Sequence, residues 1–291
     1  MVLQSLLMVT VLVVDLDATI AAYNDYLGYE VAQTGVIQGA CAEQMGDLSL
    51  TGRTFVNMAL PEGENEVLLR FIEGASVAYK PMLAAGWSAI ELLAQDPVAL
   101  RNQMYKSAFS VVGEPAYLTA AKKILAMQAS GPSGELLYFT KMLEPESSLL
   151  KPAAPKSPVG NTFIMVAGSR DLMATRLFLE ENFKNFITNP IPFKIDVLAT
   201  AREDASDTRY PIMVIKFSGP FGFEFDEYGK ELDTTKVAGG IILVSASVDA
   251  LTSIDSSPQI NESLTSRCPG LKGRSSLVRF PSGALLEVMG P

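Results

Sequence analysis

The stretch from Met8 to Val31, MVTVLVVDLDATIAAYNDYLGYEV, constrains the fold more than any other part of the chain. An apolar run is followed by Asp15, then by Leu16, Ile20, Tyr23 and Leu27 at i, i+4, i+7 and i+11, then by Gly28 and a second extended run. An Asp before a helical stripe and a Gly after it mark the two ends of a helix. The stretch predicts strand, helix, strand. Extended runs at Phe55 to Leu60 and Glu66 to Ile72 complete one β-α-β-β-β unit.

The same order returns along the chain, which makes it a repeat. A second unit opens with Trp87 to Leu93, is capped by Asp96, places Pro97 at the first helical position and ends in Glu135 to Thr140. A third opens with Phe163 to Ala167 and Asp171, carries Leu172, Arg176, Leu179 and Phe183 at helical spacing, and continues in strands at Phe193 to Leu198, Ile212 to Phe217 and Phe221 to Asp226. The fourth runs from Ile241 to Ser245 through a short helix near Val248 to Ile254 to a last strand, Ala284 to Val288. The turns Gly131-Pro132-Ser133-Gly134 and Pro281-Ser282-Gly283 introduce two of the closing strands. Between units two and three, residues 143–158 hold four prolines and no periodicity, the signature of a linker. The expected organisation is an N-terminal domain over 1–142 and a C-terminal domain over 159–291, two modules each.

Composition excludes several functions. A net charge of −9 with no basic stripe argues against nucleic acid. The apolar start, Met1 to Val14, has no Lys or Arg before it and ends at Asp15 and Asp17, so it reads as a buried strand; it is too short to span a membrane. Cys41 and Cys268 stand far apart and predict neither a disulfide framework nor a zinc site, which fits a reducing cytoplasm. The sequon Asn261-Glu262-Ser263 carries no weight in that compartment. The chain contains no histidine, which removes Ser-His-Asp and Cys-His nucleophilic schemes. No phosphate-binding loop or dinucleotide Gly fingerprint is present.

The Asp15-Leu16-Asp17 to Leu27-Gly28-Tyr29 segment and the Gly283 to Glu287 ending resemble the vicinal oxygen chelate superfamily, which includes glyoxalase I, bleomycin-resistance proteins and extradiol dioxygenases. The resemblance implies an α+β fold of four βαβββ modules forming two curved mixed-sheet domains. It also implies metal ligands at the start of each first strand and the middle of each last strand. Those places fall near Met8, Ala89, Ile164 and Gly240, and on Arg70, Tyr138, Glu224 and Glu287. Without imidazole, iron or zinc chemistry of the superfamily's usual kind is not expected. No cofactor is expected; the minor alternative is Mg²⁺ or Ca²⁺ held by Glu224 and Glu287 with Asn161.

Two clefts follow from pairing modules within each half. In the C-terminal half Glu224 and Glu287 are expected to approach each other as an acid–base pair, or to remain as relics of a lost metal site. In the N-terminal half Met8, Thr10, Arg70, Glu91, Tyr138 and Thr140 share the cleft by strand alternation. There Arg70 either forms a buried ion pair with Glu91 or binds a substrate oxygen while Glu91 acts as base and Tyr138 donates a hydrogen bond. The segments 38–53 and Asp196 to Tyr210 are lid candidates. The leading reading is metal-independent proton transfer on a small, largely apolar molecule by a cytoplasmic protein, with room for a homodimer. The alternatives are a ligand-sequestering protein and a structural pseudoenzyme.

Overall fold

A computed structural model describes residues 1–61, 67–229, 239–251 and 268–291. The first unit comprises β1 (Leu3–Val13), α1 (Leu16–Leu27), β2 (Glu30–Val36), α2 (Gly39–Gln44), β3 (Thr54–Ala59) and β4 (Leu68–Glu73). The second comprises β5 (Gly86–Ala94), α3 (Pro97–Met104), β6 (Ser110–Tyr117), β7 (Ile124–Ser130) and β8 (Leu136–Met142). The third has β9 (Val159–Ser169), α4 (Leu172–Asn182), β10 (Ile191–Lys194), α5 (Asp196–Arg202), β11 (Arg209–Lys216) and β12 (Gly222–Glu227). The described part of the fourth holds β13 (Gly240–Val248), β14 (Arg274–Arg279) and β15 (Leu285–Gly290).

The helix starts are where the sequence puts them. Asp15, Asp96 and Asp171 are extended N-cap residues whose side chains accept from backbone N–H groups of the first turn, at Ala18, at Val98 and Ala99, and at Ala174. Gly28 closes α1 in the left-handed region, φ 75°, which a glycine adopts without strain. The expected fourth helix lies partly outside the described residues; Val248 itself ends β13.

Two mixed sheets result, α+β in class. The first has strand order β14-β15-β13-β1-β4-β3-β2 and the second β10-β11-β12-β9-β5-β8-β7-β6. Module one therefore joins module four through the antiparallel β1–β13 ladder, and module two joins module three through β5–β9. This corrects the expected pairing within each half of the chain. Residues 143–158 connect β8 to β9, two strands of the same sheet, so the segment is not a boundary between sheets. The physical reason is that β1, β5, β9 and β13 are all apolar enough to be buried on both faces, and nothing local to them dictates which two form a ladder.

The sheets pack back to back on one continuous core. Trp87 sits in it, against Phe223 and Phe280 at ring-centroid distances of 4.9 and 5.9 Å, and its Nε1 donates to the Leu285 carbonyl at 2.7 Å. Each sheet's other face is concave and covered. Helix α2 with Met45 and Leu50 covers the first, and α5 with Met82 covers the second. The strand expected at Phe193 to Leu198 is in fact β10 followed by α5, because Val197, Leu198 and Ala199 are buried together by a helical turn.

Cys41 of α2 and Cys268 are joined by a disulfide, Cα to Cα 4.7 Å. Their separation along the chain lent no support to a disulfide, but the pairing of modules one and four brings the two segments together. With the two cysteines joined, their separation is no sign of a reducing compartment. Among the described residues no helix is long and apolar enough to cross a membrane.

Candidate functional site

Strand alternation sends most of the second sheet's side chains to one of two faces. Ile90, Leu92, Leu137, Phe139, Phe223 and Phe225 enter the shared core. Ala89, Leu136, Tyr138, Ile164 and Val166 line the concave face. Glu91, Thr140, Glu224 and Asp226 follow the same alternation onto that face, and all but half-buried Glu224 are buried. The wall opposite is supplied by Val197 and Leu198 of α5 and by Tyr228, while Tyr210 stands on β11 of the same sheet.

The ladder fixes how these groups meet. Tyr138 stands beside Glu91 on the parallel β5–β8 pair; Glu91 faces Ile164 across β5–β9, and Ile164 and Val166 face Gly222 and Glu224 across β9–β12. Glu91 and Glu224 thus flank β9 from opposite sides. Thr140 Oγ1 donates to Glu91 Oε1 at 2.6 Å. Glu224 and Asp226 stand two residues apart on the same face of β12, close enough for Asp226 to raise the proton affinity of Glu224. The Tyr228 hydroxyl donates to Ser88 Oγ at 3.0 Å, which donates to the Val166 carbonyl at 3.3 Å. Tyr228 lies flat against Gly168, where any Cβ would collide with its ring.

All three carboxyl groups are pushed up. Burial raises Glu91 to about 7 against the opposing hydrogen bond from Thr140. Burial, then the charges of Asp226 and Glu91, raises Glu224 well above the carboxylate range. Burial also raises Asp226, with Glu91 adding to it. Tyr138 and Tyr228 are raised too, first by burial and then by surrounding negative charge, so both are neutral hydroxyls. Asp226 Oδ1 on β12 and, at the other end of the sheet near the start of β9, Asn161 Oδ1 are each buried without a hydrogen-bond partner.

The first sheet's concave face is built differently. Thr10 faces Arg70 across β1–β4, and Ser245 faces Glu287 across β13–β15. Arg70 Nε donates to Asn57 Oδ1 at 3.0 Å, its Nη2 donates to the Pro269 carbonyl, and its guanidinium lies 5.3 Å from the Phe55 ring centroid. Glu287 accepts from Ser245 Oγ at 2.7 Å and from Gln44 Nε2, which also donates to Ser275 Oγ at 3.2 Å. Burial pulls Arg70 down to about 10, with the charge of Glu287 opposing. Helix α2, Cys268 and Pro269 close over this network. Met8 is buried on β1, and Thr10 Oγ1 is buried without a partner.

The structure thus redistributes the expected site. Glu224 and Glu287 do not share a cleft, because β12 and β15 belong to different sheets. Arg70 does not pair with Glu91, for the same reason; it faces Glu287, while Glu91 faces the Glu224 and Asp226 carboxyls. Glu91, Tyr138, Thr140 and Glu224 do come together. Thr140 serves Glu91 directly. Asp226 was not among the expected site residues. Its alternation with Glu224 was visible in the sequence, but its value comes from Glu91, which only the β5–β9–β12 ladder brings near.

The superfamily's metal does not fit these residues. Equating Arg70 with Glu287 by register makes Leu243, three residues beyond Gly240, the counterpart of Met8. The first-strand places are then Met8, Ala89, Ile164 and Leu243, none of them an oxygen or imidazole donor. Two of the four last-strand places hold a guanidinium and a neutral phenol. A divalent ion held jointly by Glu224 and Glu287 lacks a geometric basis. Among the described residues no group of three or more His, Cys, Asp or Glu is arranged to hold a metal ion.

No family model matches the chain, and no curated protein matches it. Solved structures do. Glyoxalase I from Zea mays superposes with a TM-score of 0.66 at 12% identity, over 98% of this chain and 92% of that one. Its E144Q mutant gives 0.66 at 13% identity, over 98% and 93%. A provisionally assigned dioxygenase from Bacillus subtilis gives 0.65 at 11% identity, over 99% and 85%. At such identities the likeness is one of architecture, and it extends over nearly the whole length of each chain. The protein has the vicinal oxygen chelate fold.

Proposed function

We propose that the concave face of the second sheet carries out metal-independent proton transfer on a small, largely apolar carbonyl compound, an isomerisation or epimerisation. One observation carries this reading: three carboxyl groups share one apolar sheet face, with a Thr140 hydrogen bond that favours the charged form of Glu91, while burial and neighbouring acids raise Glu224 and Asp226. Environments that push neighbouring carboxyls apart in proton affinity divide them into base and acid.

Glu91 is the base. Thr140 stabilises its carboxylate, which takes a proton from the carbon next to the substrate carbonyl. The Glu224–Asp226 pair is the acid, and Tyr138 beside Glu91 donates a hydrogen bond to the carbonyl oxygen as negative charge gathers there. The pair then returns a proton to carbon, and the proton taken by Glu91 is passed back to the pair through the product's oxygen or water. Substrate and product have the same atoms, so no oxidant or co-reactant is needed. The cover of α5 and Met82 keeps the face apolar, which keeps the proton affinity of the carboxyls raised.

Deuterium wash-in tests this. Ketones and aldehydes bearing an acidic C–H are incubated with the protein in D₂O and followed by proton NMR. Exchange above background, lost by ~10²-fold or more in Glu91→Gln with the fold retained, is the expected result. Equal exchange in wild type and variant overturns the reading. A protein that merely sequesters its ligand would bind without exchange.

A further inference from the structure

Residues 143–158, which carry the chain from β8 to β9, pass as a strap over the ends of β5 and β8 and leave a cavity of about 300 Å³ beneath them. The strap is fastened at several points. Leu150 is buried in the core shared by the two sheets, and Pro152 is buried as well. Between them Lys151 takes a left-handed backbone conformation, φ 50°, which a residue with a side chain adopts only where its surroundings hold it there. Farther along, Gln95, just past the end of β5, grips the strap twice. Its Nε2 donates to the Pro155 carbonyl at 2.9 Å and its backbone N–H donates to the Pro158 carbonyl at 3.0 Å. The cavity's outer wall is thus tied in place before any ligand arrives, which lowers the ordering cost of binding.

The lining is apolar with one charge in it. Leu93 and Met142 come from the strand ends and Pro145, Pro152 and Pro155 from the strap, while Lys141 is the one ionisable residue among those that line the cavity. Lys141 is half-buried near the end of β8, and among the described residues its ammonium makes no ion pair or hydrogen bond. The nearby carboxylate of Glu144 is taken by Lys123 at 2.7 Å. We propose that this cavity binds a small organic monocarboxylate whose apolar body fills the space under the strap and whose carboxylate meets Lys141. An ammonium carries three donors and no acceptor, so its match is an acceptor, and a charged acceptor makes the stronger bond. The volume stands at the low end for ligand pockets, roughly 300–1,000 Å³, which suits a single ring or a short chain. The Met142 thioether favours a ring. An amine would set a second cation beside Lys141, and an alcohol would forgo the charge. The cavity lies apart from both concave faces, so the proposal stands or falls independently of proton transfer there.

The test uses three probes of one size, benzoate, benzyl alcohol and benzylamine, titrated calorimetrically into the full chain at about 0.15 M salt, where the field of distant surface charge is screened. Benzoate is expected to bind ~10-fold or more tightly than benzyl alcohol, a difference of about 1.4 kcal/mol, with benzylamine weakest. Lys141→Met keeps the length of the side chain and removes its charge. It should bring benzoate and the alcohol to within about threefold of one another. Lys106→Met, which removes an exposed charge that does not line the cavity, should leave the preference as it is. Circular dichroism checks the fold; should Lys141→Met not fold, Lys141→Gln carries the comparison. Four outcomes overturn the proposal: no measurable binding of benzoate, benzyl alcohol or benzylamine binding as tightly as benzoate, a benzoate preference undiminished in a folded Lys141 variant, or an equal loss of preference in Lys106→Met.

Discussion

Arg70 and Glu287 hold corresponding places in two modules of one sheet, each on a last strand directly beside its own module's first strand, so that a guanidinium and a carboxylate face each other's modules across β1 and β13. Both are about 1% exposed. Removing one partner leaves the other's charge buried, which costs about 3–5 kcal/mol, while replacing both with apolar groups costs less than the sum. Arg70→Met should therefore lower stability by about 3 kcal/mol in urea unfolding. The Arg70→Met/Glu287→Leu double variant should recover part of the loss. Strict additivity of the two single variants would mean that the charges do not sense each other.

The modules were legible because their signals are local. Asp15, Asp96 and Asp171 announce helix starts within a few residues of themselves, and β2, β3 and β4 fall within about two residues of the extended runs. Module pairing was not legible, since it depends on which of four apolar first strands form ladders, and no residue within a strand encodes its distant partner. That one undetermined choice displaced the site. It sent Glu287 to Arg70 instead of Glu224, and gave Glu91 two carboxyl neighbours instead of a guanidinium. Cys41 and Cys268 were misjudged for the same reason.

Buried Glu135 gives the fold its own pH response. It is 1% exposed, accepts from the Tyr23 hydroxyl at 3.1 Å and from the Ser133 N–H at 3.0 Å, and is nevertheless raised to about 7, because burial outweighs these bonds. Its folded pKa lies above the unfolded one, so the folded state binds the proton more tightly. Its contribution is fully present below about pH 4.5 and is lost as pH rises through about 7. The loss is about 3 kcal/mol. Glu135→Gln, which keeps an acceptor for Tyr23, should flatten that part of the stability–pH curve. Parallel curves for variant and wild type would assign the response to other groups.

Reduction of the Cys41–Cys268 bond should act on the first sheet. The bond closes a separation of 227 residues, and releasing it frees the unfolded chain, lowering stability by about 2–5 kcal/mol. Locally it also releases α2, whose Gln44 binds Glu287, from the segment holding Pro269, which binds Arg70. Hydrogen exchange with and without reductant is expected to speed up in α2, β14 and β15 while β8, β9 and β12 keep their protection. Faster exchange spread evenly over both sheets would contradict this local reading.

The chemistry should show a narrow bell-shaped pH dependence, and Thr140 should set its acid side. Proton abstraction requires ionised Glu91, so the rate rises through about 7; return of the proton requires the protonated partner, so it falls as Asp226 ionises through about 8. Thr140 Oγ1 donates to Glu91 at 2.6 Å and favours its carboxylate. Thr140→Val keeps the shape of the side chain and removes only the donor. Since a hydrogen bond to a charged group is worth about 1.5–3 kcal/mol, the rising limb should move up by about one pH unit or more. It would then overtake the falling limb, so the maximum rate drops along with the shift. Deuterium wash-in rates measured from pH 5 to 10 on both proteins read the two limbs directly. An unchanged rising limb in a folded Thr140→Val protein would take the role of base away from Glu91.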